Sequence, residues 1–187
     1  MAIYLVRHGE TNWSLDHRHT GATDIALTEI GEEQAKGLRP RLEGVRFARV
    51  VSSPLRRALV TAELSGVKPA AEVSPLLREF DYGEYEGITS QEIHQRRPGW
   101  DLWRDGCPGG ESPEEVVERS RRLLARLDPL PDRNYALFAH GHVLRAVAVA
   151  YLGVPVDLCR HLVLKVASIS VLGAENGVPA IEAWDLS

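Results

Sequence analysis

Residues 3–10 read IYLVRHGE and residues 135–142 read YALFAHGH. Each is a short apolar run of strand length that ends on a histidine followed by a glycine, in a chain with only seven histidines. Apolar runs of four to eight residues bounded by glycine are the signature of buried strands. Residues 45–52 and 168–172 have the same character, and the stretches between these runs carry helical spacing. Strands alternating with helices predict an α/β fold, a three-layer sandwich with a mostly parallel central sheet and helices on both faces.

The helix boundaries are marked by residue chemistry. Thr28 can cap a helix running towards Leu42, Ser53-Pro54 offers a cap with proline at the first helical position, and Ser112-Pro113-Glu114-Glu115 spells a capping box. Gly153 followed by Pro155 would stop a helix that starts near Gly141. Glu175-Asn176-Gly177 is a turn signal that would join the last two strands as an antiparallel hairpin. Residues 83–110, with Pro98, Trp100, Trp103 and Pro108, have weaker periodicity and are read as an excursion over the active site.

Composition narrows the function classes. The chain has 187 residues, 44% hydrophobic and 26% charged, enough for one good core and short for two, so residues 1–187 are expected to form a single domain. A net charge of −4 gives no polyanion-binding surface. Arg119, Arg121, Arg122 and Arg126 alternate with Glu114, Glu115 and Glu118 and are read as a solvated helix face, so no nucleic acid partner is expected. The apolar run at the N-terminus is too short for a leader or a membrane span, which predicts a cytoplasmic protein without a membrane partner. Cys107 and Cys159 lack the spacing of a metal or redox pair.

In an open α/β sheet, ligands collect beyond the carboxyl ends of the parallel strands, and His8 and His140 both fall there. The glycines after them are expected to let a backbone N–H approach a ligand, with a helix starting near Gly141 aiming its positive end at the same place. Arg7 beside His8, and Arg56-Arg57 after the strand ending at Ser52, bring guanidinium forks that match phosphate oxygens. A phosphate group is therefore the expected occupant. Two histidines sit two apart at His17/His19 and at His140/His142, a spacing that raises a metal site; the flanking arginines and the missing Asp or Cys partners argue against it.

Six ordered segments carry a family resemblance: Leu5-Val-Arg-His-Gly-Glu-Thr11, Gly21-Ala-Thr-Asp-Ile-Ala-Leu-Thr-Glu-Ile-Gly31, Ser52-Ser-Pro-Leu-Arg-Arg-Ala58, Leu77-Arg-Glu-Phe-Asp-Tyr-Gly-Glu-Tyr-Glu-Gly87, Pro108-Gly-Gly-Glu-Ser112 and Ala139-His-Gly-His142. Together they resemble the histidine phosphatase superfamily in its phosphoglycerate-mutase-like branch. The resemblance implies that His8 is the nucleophile that becomes a phosphohistidine, that Arg7, Arg57 and His140 hold the phosphoryl group, and that Glu79 is the proton donor. Gly141, Ser14, Thr20 and Gly21 complete the implied phosphate-binding set. Ser14 stands where relatives often carry Asn, and His142 where they often carry Asn or Gly; Arg56 is read as a surface residue. No cofactor and no metal are implied.

Physical chemistry supports these roles. Two nearby guanidinium charges bias His8 towards its neutral, nucleophilic form and stabilise charge on the transferring oxygens. Glu79 would serve as acid if burial, or Glu86 or Asp81 nearby, favoured its protonated form. The expected function is hydrolysis of a small phosphorylated metabolite, a sugar phosphate or related phosphomonoester. The alternatives are a phosphoglycerate mutase, disfavoured by the short excursion and the absence of a C-terminal tail, and then a protein phosphohistidine phosphatase or a binding module. His17, Arg18, His19, Trp100, Trp103 and Arg104 are candidate substrate-reading residues. The oligomeric state is left open, with a homodimer compatible with the sequence.

Overall fold

The structure, a computed structural model, describes residues 1–127 and 132–187. In chain order its elements are β1 (Ala2–Arg7), α1 (Asn12–Leu15), α2 (Glu29–Gly37), α3 (Arg39–Leu42), β2 (Phe47–Ser52), α4 (Arg56–Leu64), β3 (Glu72–Val73), α5 (Ser90–Arg96), α6 (Leu102–Asp105), α7 (Pro113–Leu127), β4 (Asn134–Ala139), α8 (Gly141–Leu152), β5 (Ile169–Glu175) and β6 (Val178–Leu186). The six strands form one sheet in the order β3-β2-β4-β1-β5-β6. The first four pair in parallel; β5 runs against both β1 and β6.

Successive strand residues point to opposite faces, and the core divides accordingly. Leu5 and Leu137 pack on one face with Val116 and Leu123 of α7 and with Val143 and Val147 of α8. Val6, Val50, Ala136 and Phe138 pack on the other with Leu38 between α2 and α3, Leu42 of α3 and Ala62 of α4. This is the three-layer α/β arrangement expected from the sequence. In the β1–β4 register Arg7 stands opposite Ala139, so His8 and His140 leave the sheet at the same height. Among the described residues, no helix is long and apolar enough to cross a membrane.

Several boundaries follow the residue chemistry. Thr28 Oγ1 accepts the Gly31 N–H at 3.0 Å, and Ser112 and Glu115 exchange side chain-to-backbone bonds of 3.2 and 2.8 Å. Gly153 ends α8 in the left-handed region at φ 68°, and the β5–β6 hairpin turns through Asn176 and Gly177, at φ 52° and 80°.

Three expectations need correction, and a fourth stretch gains detail. The helix capped by Thr28 does not run to Leu42: it breaks at Leu38, and Pro40 in the first turn of α3 removes a donor that a continuous helix would need. Ser53-Pro54 does not open a helix, since α4 begins at Arg56 and Leu55 caps it without a side-chain bond. Arg119 is not on a solvated face. It is buried, with its fork on Glu111 at 2.8 and 2.7 Å and Nη1 on the carbonyls of Leu76 and Arg78 at 2.8 Å; Arg121, Arg122 and Arg126 are the exposed ones. Residues 83–110 hold two helices: α5, opened by a Thr89–Glu92 capping box, and α6, capped by Asp101. Their Ile93, Trp100, Leu102 and Trp103 are buried in the same core cluster as α7 and α8.

Candidate active site

A cavity of about 420 Å³ opens beyond the carboxyl ends of β1 and β4. Arg7, His8, Glu79, Gly141, His142 and Arg145 are among its walls. His8 is 5% exposed, and its Nδ1 lies 2.6 Å from the carbonyl oxygen of Gly9. A carbonyl can only accept, so the Nδ1 proton is donated there and Nε2 is left with a bare lone pair. Burial first, then the charges of Arg57 and Arg7, hold the His8 pKa well below the usual imidazole value. The neutral form of the ring is therefore the one favoured near pH 7.

His140 is fully buried, edge to face with His8 at a centroid separation of 5.1 Å. Arg57 Nε donates to its Nδ1 at 3.0 Å, so Nε2 carries the proton, and that proton goes to Ser53 Oγ at 2.7 Å. Ser53, expected to cap a helix, is in fact the residue that orients His140. Arg57 is fully buried as well and donates to the carbonyls of Thr23, Thr20 and Gly21 at 2.9, 2.9 and 3.2 Å. A guanidinium has five N–H donors, so one Nη1 proton is left unspent by these bonds.

Arg7 donates through Nη1 to the carbonyl of Leu164, and its Nε is buried with no partner among the described residues. Its guanidinium lies over Gly141, where a Cβ would stand 3.3 Å from Cζ. Gly9 has a different reason to be glycine. Its N–H is donated to Thr61 Oγ1 at 3.1 Å, and a Cβ would fall 2.3 Å from the Gly31 carbonyl oxygen, so the expectation that it offers its N–H to a ligand does not hold.

Glu79 is 8% exposed and sits on the N-terminus of α8. Its Oε1 accepts the N–H groups of Val143 and Phe80 at 2.8 and 2.9 Å, and its Oε2 accepts that of His142 at 3.0 Å. Oε2 keeps one lone-pair direction for exchanging a proton in the cavity. Glu86 and Asp81, expected to act on Glu79, are engaged elsewhere: Glu86 accepts the N–H groups of Gly21 and Thr23, and Asp81 that of Gly83.

The remaining residues divide. Ser14 and Thr20 line the cavity, with the Ser14 hydroxyl bonded to Thr11 and that of Thr20 to the Arg18 carbonyl. Gly21 contributes its carbonyl to Arg57 and its N–H to Glu86. His17, Arg18, His19, Trp100 and Trp103 are on the cavity wall. Arg104 is not; it is exposed and paired with Asp105 at 2.8 Å. Arg56 is exposed too, its backbone N–H donated to Asp24. Among the described residues no three His, Cys, Asp or Glu side chains converge to hold a metal ion. Sequence reasoning missed Ser53 as the partner of His140, Tyr82, whose hydroxyl meets His142 Nδ1 at 2.5 Å, and Arg145.

A bare imidazole nitrogen, two guanidinium groups with donors in reserve, and a carboxyl with a free lone pair together suit displacement at a phosphorus atom. The chain's relatives are of the same kind. Residues 3–187 match the family model of the Histidine phosphatase superfamily (branch 1). An acid phosphatase of Mycobacterium tuberculosis is 40% identical over 189 residues, covering 99% of this chain and 92% of that protein. A probable phosphoglycerate mutase of Cronobacter sakazakii is 36% identical, covering 98% and 90%. The solved structure of a mycobacterial glucosyl-3-phosphoglycerate phosphatase complexed with VO3 superimposes with a TM-score of 0.89 at 33% identity, covering 100% of this chain and 99% of that one. With its sheet, its paired His-Gly strand ends and these matches, the chain belongs to the histidine phosphatase superfamily, branch 1.

Proposed function

We propose that this protein hydrolyses a small phosphorylated metabolite, a sugar phosphate or related phosphomonoester, through a phosphohistidine at His8, in the cytoplasm. The observation that carries the reading is the bare Nε2 of His8 beside the buried, partnerless Nε of Arg7, a nucleophile next to a donor that lacks an acceptor until an anion enters.

In the first step Nε2 attacks phosphorus, the N–P bond forms, and the ester P–O bond breaks. The leaving alkoxide takes a proton from Glu79 Oε2. Arg7 and the remaining Arg57 proton stabilise the equatorial oxygens, the role a cation plays in other phosphoryl-transfer sites, so no metal is called for. In the second step water gives its proton to Glu79 and attacks phosphorus. The N–P bond then breaks, releasing phosphate and restoring His8.

Rapid quenching with ³²P-labelled substrate should trap an acid-labile, base-stable label on wild-type protein. His8→Ala should form none and lose at least about 10⁴-fold in kcat, because no neighbouring group replaces the attacking nitrogen. A labelled His8→Ala protein, or residual turnover within tenfold of wild type, would overturn the assignment. The mutase reading shares this intermediate and separates from it by product: 3-phosphoglycerate would be isomerised without release of inorganic phosphate.

A further inference from the structure

The cavity holds more cationic groups than the reacting phosphoryl group requires. Four arginines line it: Arg7, Arg18, Arg145 and Arg160. Arg160 is paired with Asp101 and Asp157, and Arg18 has Asp16 at 3.7 Å and the Gly87 carbonyl at 2.8 Å. Arg7 is bonded to Leu164 and stands beside His8. Arg145 alone of the four has neither a hydrogen bond nor an ion pair among the described residues; its Nε, like those of Arg7 and Arg160, is buried without a partner. The two carboxylates that favour its charge are occupied: Glu79 takes three backbone N–H groups, and Asp185 takes the Lys165 N–H at 2.6 Å with the Lys165 ammonium at 3.8 Å.

Its place on α8 defines where this charge is presented. Gly141 and Arg145 are four residues apart, so they stack on one helix face, and Arg7 covers Gly141. Arg145 is thus rooted one turn, about 6 Å, further along the axis than the guanidinium that serves phosphorus. Helical side chains lean towards the N-terminus, which carries the Arg145 fork back towards the cavity.

We infer that Arg145 binds a carboxylate on the substrate, so that the ester hydrolysed here is a phosphomonoester of a small carboxylic acid. One unmatched guanidinium calls for one negative charge, and its planar fork fits a carboxylate through two parallel bonds. A second phosphate would bring a further charge that the paired Arg18 and Arg160 are not free to neutralise. This reading rests on the proposed phosphatase activity and narrows it to a substrate class.

The test uses substrate pairs that differ by one carboxylate: phosphoserine with phosphoethanolamine, and 3-phosphoglycerate with glycerol 3-phosphate. Wild type should prefer the carboxylated member about 10- to 100-fold in kcat/KM, the yield of one charge-assisted pair. Arg145→Gln should lose about that factor on the carboxylated member beyond any loss on its partner, bringing the ratio near one, and Arg145→Lys should keep part of the preference. A wild-type ratio near one, an equal loss on both members in Arg145→Gln, or a greater preference for 1,3-propanediol bisphosphate would overturn it. Failure of the underlying activity looks different: wild type would then form no phosphoenzyme even from p-nitrophenyl phosphate.

Discussion

The two His-Gly pairs occupy equivalent places at the ends of adjacent parallel strands, yet they are built for opposite ends. His8 spends its Nδ1 proton on the next carbonyl and leaves its other nitrogen free, whereas His140 has both nitrogens tied, one to Arg57 and one to Ser53. Gly9 is glycine because another backbone lies against it, and Gly141 because a guanidinium does. The same dipeptide thus presents an imidazole with one nitrogen free in one place and an imidazole with both nitrogens engaged in the other. The difference comes from what each nitrogen touches.

The largest effect that sharpens this contrast concerns Glu79, which accepts N–H groups at the start of the helix begun by the second pair and, on the proposed mechanism, protonates the leaving group of the first. Glu79→Gln should slow hydrolysis of alkyl phosphates by about 10²- to 10⁴-fold, the usual yield of general acid–base help. Phosphorylation of His8 by p-nitrophenyl phosphate, whose leaving anion needs no proton, should suffer far less. Rapid mixing should show a nitrophenolate burst in the variant and no burst with the alkyl ester. Equal slowing of both would make Glu79 a positioning residue, with Glu10, Asp81, Glu84 and Glu86 as the remaining carboxylates to test.

The glycines give a smaller and more pointed comparison. Gly9→Ala forces a Cβ to within 2.3 Å of the Gly31 oxygen, a backbone atom with no easy escape, and should lower stability by about 1–3 kcal/mol. Gly141→Ala meets only the Arg7 side chain at 3.3 Å and gains helix propensity, so its melting temperature should hold while kcat/KM falls. Chemical denaturation and steady-state kinetics on both variants would check this; the reverse pattern would show that the two glycines had been assigned each other's roles.

The smallest expected effect is on pH. Burial holds the pKa values of His8 and His140 well below the ordinary 6.5, so between those lowered values and 6.5 the unfolded chain binds protons that the folded chain refuses. Stability therefore rises with pH across that window and is lost as pH falls below about 6.5. Thermal melts from pH 8 to pH 5 should show a falling midpoint, flattened in His140→Gln. A midpoint constant over that range would mean that the rings are protonated in place.

Much of this was legible because it depends on local signals. Apolar runs, the Ser112–Glu115 box and the Asn176-Gly177 turn state their structure within a few residues, and the alternation of strand and helix then constrains the sheet. The β3 strand was not legible: two exposed residues carry no periodicity. The capping box at Thr89–Glu92 is written in the sequence, but the tryptophans and prolines around it mask the helical period. Arg119 and Arg145 were hidden for a deeper reason. Arg119 sits on a helix whose pattern permits a solvated charge and Arg145 is the one charged residue of an apolar helix, and only tertiary packing shows that the first is buried against Glu111 while the second lines the cavity without a partner among the described residues. Ser53 was misread because two roles compete for one hydroxyl, and the long-range bond to His140 prevailed over the local cap.

The bond from Arg7 to the carbonyl of Leu164 spans 157 residues of sequence, and β1 pairs only with strands that come more than 120 residues later. The first strand of the chain therefore has no sheet neighbour until β4 and β5 exist. Loop-closure entropy on this scale makes assembly of the centre of the sheet a slow, late event compared with helix formation. Arg7 cannot be aimed through its Leu164 bond in any fragment that stops short of β5. Nascent chains and truncated products should consequently carry an intact RHG sequence with no activity, and competence should arrive in a single step as the last strands close on the first.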